Sequence, residues 1–206
     1  MDHKEQTHKP SNPISRRDIL RTLAMGAVGG SVLQMIPLAA AEQAHRMVKQ
    51  EKTNAAGVYK PKFFPAHQYA TLRALCEAII PTDDHSAGAI EAGAPEFIDL
   101  LTSENKEYQV DLGGGLMWLD GFCADLYGKP YLSCAPNQQK EVLDLIAYRR
   151  NAEKDFSLSQ GVEFFAFLRR LTTDGFYSSE VGINDLQYIG NTFLREFPGC
   201  PPVPES

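Results

Sequence analysis

Few residues in this sequence have the types and spacing that catalysis requires. Asp174 and Glu180 bracket a short segment with two adjacent serines, which could suggest acid–base chemistry with a serine nucleophile. A serine nucleophile needs a base, however, and no histidine follows position 85. The fold would have to bring His67 or His85 to the serines. We interpret the segment as a loop between helices and expect no catalytic residue on this chain.

Metal and cofactor motifs are equally sparse. Asp83, Asp84 and His85 are residue types that bind metals, but successive residues rarely converge on one ion, and an aspartate after a helix-ending proline is usually a turn residue. The glycines at 113–115 lack the G-x-G-x-x-G spacing of a dinucleotide-binding loop, and no Cys-x-x-Cys-His haem motif occurs. We expect this chain to hold no metal and no cofactor of its own.

The four cysteines divide into two pairs by their surroundings. Cys76 and Cys123 fall on apolar helix faces, where buried thiols are common. Cys134 and Cys200 lie in proline-flanked segments that we expect to be exposed. Because exposed thiols tend to pair in an oxidising compartment, Cys200 is a candidate for a bridge, either to Cys134 or to a partner chain.

The elements that position these residues are predicted to be helices. The chain has 206 residues, 43% of them hydrophobic, and a net charge of −6, which fits one globular domain and argues against a nucleic-acid partner. Apolar residues recur every three or four positions, so the sequence predicts an all-α, compact bundle of about five or six helices. The last apolar run is hydrophobic on nearly all sides and should be the buried central helix. The runs cover residues 72–80, 95–101, 112–126, 142–147 and 162–171.

Glycines interrupt the third of these runs and follow the fifth. Each glycine inside a helix costs about 1 kcal/mol relative to alanine. We therefore expect either that the third helix begins at Gly113–Gly115 or that a neighbouring element presses closely against it there. Gly175, which follows the fifth run, is a plausible end cap.

The C-terminal third is rich in aromatic residues, which predicts an aromatic-rich loop region. Those within the fifth helix are most simply core residues. Four others stand among Gly, Ser, Asn and Pro, where we favour an interface over the core because Tyr and Phe are enriched at protein contacts. These four are Phe176, Tyr177, Tyr188 and Phe197.

The N-terminal residues are typical of an export signal. Arg16 and Arg17 precede a weakly apolar stretch without charge from Thr22 through Ala41, and this order resembles a twin-arginine signal. The stretch ends in three alanines, a small-residue site for signal peptidase. We expect residues 1–41 to be a signal peptide that is cleaved. The alternatives are retention as a membrane anchor, since 20 uncharged residues just reach across a bilayer, and an amphipathic cytosolic helix.

Residues 42–61 carry charges and few large apolar groups, so they are predicted to form a flexible tether. Residues 62–206 would then be the helical domain of a periplasmic protein. Twin-arginine export moves folded cargo, a costly route for a small domain without a cofactor. The mismatch suggests that another protein travels with this one.

Several short motifs in a fixed order resemble the gluconate 2-dehydrogenase subunit 3 family. They are the Leu-x-x-Leu-x-x-x-Ile-Ile-Pro-x-Asp helix end at 72–83, Ala-Gly-Ala-Pro-Glu-Phe-Ile-Asp at 92–99, Thr-Thr-Asp-Gly-Phe-Tyr-Ser-Ser-Glu-x-Gly at 172–182, Tyr-x-Gly-Asn at 188–191 and Phe-Pro-Gly-Cys at 197–200. Members of this family are small subunits of exported, flavin-dependent sugar dehydrogenases.

The resemblance implies a non-catalytic subunit. FAD would sit on a large glucose–methanol–choline type subunit that lacks its own export signal, and a cytochrome c subunit would often take the electrons. The small chain would bind the folded flavoprotein in the cytoplasm and carry it through the twin-arginine translocase to the periplasm, where its complex would associate with the membrane. The implied contact positions are Phe176, Tyr177, Ser179, Tyr188, Asn191 and Cys200.

Two other functions remain open on the sequence alone. A stand-alone periplasmic enzyme would show turnover or a bound cofactor without a partner. A membrane-tethered helical module unrelated to redox would keep its signal segment and have no flavoprotein partner.

Overall fold

The described part of the chain is helical. The computed structural model describes residues 36, 38–55 and 57–188, which contain no strand, so the all-α prediction is confirmed. Single-turn 3₁₀ helices at Tyr131–Ser133 and Phe156–Leu158 join some of the α-helices. The α-helices are α1 (Leu38–Asn54), α2 (Ala66–Ile79), α3 (Ala94–Glu104), α4 (Lys106–Tyr127), α5 (Pro136–Ile146), α6 (Arg149–Lys154), α7 (Ser159–Tyr177) and α8 (Glu180–Asp185).

Prolines and caps set the ends of the helices. Pro65 directly precedes α2. Pro81 stands two residues after the end of α2, at the helix end predicted from the motif at 72–83. Pro95 lies in the first turn of α3, where its missing N–H costs nothing. Asn105 caps α4 by accepting hydrogen bonds from the backbone N–H groups of Glu107 and Tyr108 at 2.9 and 3.3 Å.

Helix α7 is the central helix, as predicted. It packs against α3, α4, α2, α5, α6 and α8, and Leu168 and Leu171 on it have no exposed surface. It runs past Gly175 to Tyr177, so the prediction that Gly175 ends this helix is wrong. Gly175 is instead a contact point, because a Cβ there would lie 3.0 Å from Cδ1 of Phe97 on α3.

The glycines of α4 lie within the helix and not at its start. The sequence left two explanations open, a helix start and close packing by a neighbour. Close packing is the one that applies, and it applies at one of the three glycines. A Cβ on Gly115 would lie 2.0 Å from Cδ2 of Phe164, so the missing side chain lets α7 approach α4. Gly113 and Gly114 have no such contact.

The predicted tether is a helix over most of its length. Helix α1 begins before residue 42 and ends at Asn54, and Ala44, Met47 and Val48 on it are buried against the body of the protein. It packs mainly on α3, where the His45 ring stacks on Phe97 with centroids 5.0 Å apart. The prediction of a flexible tether at 42–61 is therefore wrong.

A buried carboxylate holds the segment between α1 and α2. Asp99 on α3 has no exposed surface, and its Oδ2 accepts the Tyr59 hydroxyl at 2.9 Å and the Lys62 N–H at 2.6 Å. Its Oδ1 accepts the N–H groups of Phe63 and Phe64 at 3.1 and 3.0 Å. One side chain thus satisfies four donors and fixes residues 59–64 to α3.

Two glycines of α4 give a matched test of this packing. We expect Gly115→Ala to lower the free energy of unfolding by at least about 1–3 kcal/mol, because the new methyl group would overlap the buried Phe164 ring. Gly121→Ala should raise it by about 0.5–1 kcal/mol, since a Cβ at 121 meets nothing within 4 Å. Urea unfolding of the two variants measures the difference, and equal stabilities would contradict the close approach of α7.

The Asp99 contacts give a second test. Asp99→Asn keeps the side-chain size but turns one oxygen into an NH₂ group that faces two donors. We expect a loss of at least about 2 kcal/mol in the free energy of unfolding, because buried donors lose their acceptor. Asp125→Asn, on an exposed turn of α4, is the control and should change stability by less than about 0.5 kcal/mol. A small effect at Asp99 would show that water or another group replaces the carboxylate.

Candidate partner-binding surface

The structure divides the predicted contact residues between the surface and the interior. Tyr177 and Tyr188 are exposed, with 41% and 49% of their surface accessible. Phe176 and Ser179 are buried, at 2% and 4%. Asn191 and Cys200 lie outside the described residues, as does Phe197.

Phe176 and Ser179 have structural roles. Phe176 was expected to stand outside the helix, but α7 continues through it and turns its ring inward. Ser179 caps α8: its hydroxyl accepts from the Gly182 N–H at 3.1 Å and donates to the Phe176 carbonyl at 2.6 Å. The prediction that they are surface contacts is not met.

An apolar cleft lies beside Tyr177, at the place where the end of α7 meets the start of α1. Its volume is about 420 Å³. Leu38 at the start of α1 is half exposed, and with Tyr177 it forms an apolar rim. We call this feature the Tyr177 cleft; it is lined by Ile36, Leu38, Ala41, Thr173, Asp174, Tyr177 and Ser178.

A histidine and a serine meet at the edge of this cleft. His45 Nε2 lies 3.1 Å from Ser178 Oγ. The histidine that the fold places beside the serines is therefore His45 of α1, and not His67 or His85. Burial lowers the pKa of His45, and a hydrogen bond with the Gly175 backbone opposes that shift. The Ser178 hydroxyl also donates to the Asp174 carbonyl, the usual bond of a serine to the preceding helical turn. The contact therefore joins α1 to α7.

The two carboxylates that bracket the serines differ in environment. Asp174 belongs to α7, and its Oδ2 is buried without a hydrogen bond. Burial raises the pKa of Asp174, while the nearby Arg170 opposes the shift. Glu180 is exposed in the first turn of α8. The expected loop over 174–180 is instead the last turn of α7 and a tight junction to α8.

The remaining polar candidates form local structural contacts. Asp83 accepts the N–H groups of His85 and Ser86, both at 2.8 Å, which is the turn geometry that the sequence suggested. His67 Nε2 lies 2.7 Å from Asp120 Oδ2. Within residues 36, 38–55 and 57–188, no group of three or more potential metal ligands is present.

Cys134 is buried, contrary to the prediction. It is 6% exposed, and its Sγ lies 3.5 Å from the Pro130 carbonyl because the proline-flanked segment folds as a 3₁₀ turn beneath α4. Burial, together with the nearby Cys134 thiol, raises the pKa of Cys123 to about 12. A bridge from Cys200 to Cys134 would require this turn to open, and Cys200 itself lies outside the described residues.

A second groove runs along the outer side of α7. Its volume is about 540 Å³, and it lies between α7 and α6. Its lining mixes charged, polar and apolar residues, a pattern that does not stand out in the sequence. Two arginines, Arg149 and Arg170, line it together with Glu163, and Arg170 stacks over the Phe167 ring. The mixture of charges favours a polar contact over an apolar one.

These observations define a small all-α domain with structural polar contacts inside and an apolar cleft at one end. A family model described as gluconate 2-dehydrogenase subunit 3 matches residues 66–199, well over half of the chain. The chain belongs to this family, which the sequence resemblance predicted. Its members are, by that description, subunits of a dehydrogenase, and this chain is a subunit of that kind. Comparison with curated proteins and with solved structures gave no match.

The arginines of the predicted export signal, Arg16 and Arg17, lie outside the described residues. Among the helices that the structure describes, none is long and apolar enough to cross a membrane.

Proposed function

We propose that this chain is the non-catalytic small subunit that binds a large FAD-dependent, glucose–methanol–choline type sugar dehydrogenase and carries it through the twin-arginine route to the periplasm. The family match over residues 66–199 is the observation that carries the proposal. The Arg16-Arg17 pair ahead of an uncharged stretch supports the export part. FAD would belong to the large subunit, and a cytochrome c subunit would accept the electrons.

The Tyr177 cleft is the surface that we assign to the large subunit. A tyrosine offers a large apolar body with a polar tip, and such side chains dominate the energy of many interfaces. Leu38 and Tyr177 place two half-exposed apolar side chains beside a concave, mainly apolar surface. Asp174 lies in the same wall; its side chain is half-buried, and its Oδ2 is buried without a hydrogen bond.

An escort explains why a small domain would carry a twin-arginine signal. A flavoprotein must fold around FAD before it leaves the cytoplasm, and a route for folded proteins preserves that complex. The signal then only has to be on one of two tightly bound chains. This arrangement requires that the two subunits bind each other before export.

Export is tested by co-expression of both subunits. We expect a yellow complex in the periplasm, and Arg16→Lys with Arg17→Lys should leave both subunits in the cytoplasm. The control is Arg149→Lys with Arg150→Lys, a second pair of adjacent arginines that lies exposed on α6. The measurement is flavin absorbance and immunoblotting of each fraction. If the large subunit still reaches the periplasm in the Arg16/Arg17 variant, the escort function is refuted. If the small subunit binds flavin when it is purified alone, the stand-alone enzyme is favoured instead.

Binding at the Tyr177 cleft is tested separately. Tyr177→Ala should weaken the complex by about tenfold or more, since loss of an interface anchor costs roughly 1–2 kcal/mol or more. Tyr148→Ala is the matched control, because Tyr148 is 53% exposed but does not line the cleft. Titration of purified subunits by calorimetry gives the two dissociation constants, while thermal unfolding checks that both variants are folded. Equal affinities would move the contact away from the cleft.

A further inference from the structure

The small-residue site at which signal peptidase would cut lies inside a folded helix. Ala39, Ala40 and Ala41 all belong to the first turns of α1, which begins at Leu38. Ala41, whose carbonyl side would be cut, is only 2% exposed, and Ala44 has no exposed surface. The scissile bond between Ala41 and Glu42 is therefore part of the docked helix.

Contacts immediately after the site hold α1 in place. The His45 ring stacks on Phe97 and contacts Ser178, so the fourth residue after the cleaved bond is joined to both α3 and α7. Lys52 Nζ lies 3.1 Å from Glu96 Oε1 near the other end of α1, and the Glu96 side chain is almost fully buried. No flexible segment separates the site from the domain.

A protease needs an accessible and extended substrate. Six residues such as 39–44 span about 9 Å in a helix but about 20 Å when extended. To enter a protease cleft they must leave the helix, and Ala41 and Ala44 must leave the core. Cleavage is then limited by the population of this locally open state, because proteolysis of folded proteins proceeds through such openings.

We propose that docking of α1 protects the Ala41–Glu42 bond, so that the exported protein keeps residues 1–41. The proposal rests on the export function above, since a twin-arginine substrate reaches signal peptidase already folded. Retention also preserves the Tyr177 cleft, because cleavage would remove Ile36, Leu38 and Ala41 from its wall.

Retention of the signal differs from a full membrane span. Residues 38–41 belong to helix α1, so only the part of the uncharged run from Thr22 through Pro37 is left to enter a bilayer. These 16 residues would be about 24 Å long if they were helical. The hydrocarbon core of a bilayer is about 30 Å thick. The proposal therefore concerns a covalently retained signal and not a transmembrane anchor.

Purified signal peptidase provides the test. The full-length chain in detergent micelles is incubated with the peptidase, and intact mass is followed over time. A variant with a Gly/Ser linker of about eight residues between Ala41 and Glu42 places the same site in a flexible segment and leaves the rest of α1 in place. The control carries the same linker between Asp84 and His85, in an exposed turn.

We expect the unmodified chain and the Asp84–His85 control to be cut at least about tenfold more slowly than the linker variant, which corresponds to about 1.4 kcal/mol of local opening. Equal rates for the unmodified chain and the linker variant would overturn the proposal. A linker variant that is not cut would overturn it too, because α1 would then not be what protects the bond. Cell fractionation of the unmodified chain is scored separately: a cytoplasmic protein would refute export, while the peptidase assay still decides whether α1 protects its site.

Discussion

The Asp99 carboxylate is the interaction on which the N-terminal half of the fold depends. Residues 59–64 form no regular element, so their backbone N–H groups need acceptors from elsewhere. Asp99 supplies three of these bonds and binds the Tyr59 hydroxyl with the same two oxygens. A charged group without exposed surface is tolerated only when its hydrogen-bonding capacity is used in this way. The path from α1 to α2 is thereby fixed relative to α3.

Helix α3 can serve as this anchor because it is buried along most of its length. Every residue from Ala94 to Thr102 is buried, and α1, α2, α4 and α7 all pack on it. Its acidic residues therefore act inside the protein: Asp99 binds the connecting segment, and Glu96 pairs with Lys52 of α1 and Arg73 of α2. Helix α7 also packs closely on α3. This is possible because Gly175 of α7 has no side chain where it faces Phe97 of α3. The positions of α1, α2 and α7 thus all depend on α3.

The sequence predicted the helices whose buried faces carry large side chains and whose ends carry prolines. Helix α1 was not predicted because its buried residues include Ala41 and Ala44. Alanine occurs in tethers as well as in tightly packed helices, so these residues do not mark a buried face. The prediction from the sequence ended α7 too early because Gly175 resembles a cap, whereas the glycine is there to accommodate Phe97. It grouped Phe176 with Tyr177, although successive residues on a helix point about 100° apart, and here Phe176 faces the core while Tyr177 is exposed. In each case the deciding contact comes from a different helix and leaves no local signal in the sequence.

The docking of α1 links the N-terminal residues to the folded state of the domain. Its contacts are with α3 and with the end of α7, so its docked position exists only when the bundle around α3 has formed. The matched family region begins at residue 66, so α1 lies before it. Two features join α1 to the matched region: its own helix contacts, and the segment that Asp99 binds. The Tyr177 cleft has one wall from α1 and one from α7, and so it too is complete only in the folded protein. A partner that binds this cleft would therefore recognise a folded small subunit with its N-terminal helix in place, which is the state that a route for folded proteins requires.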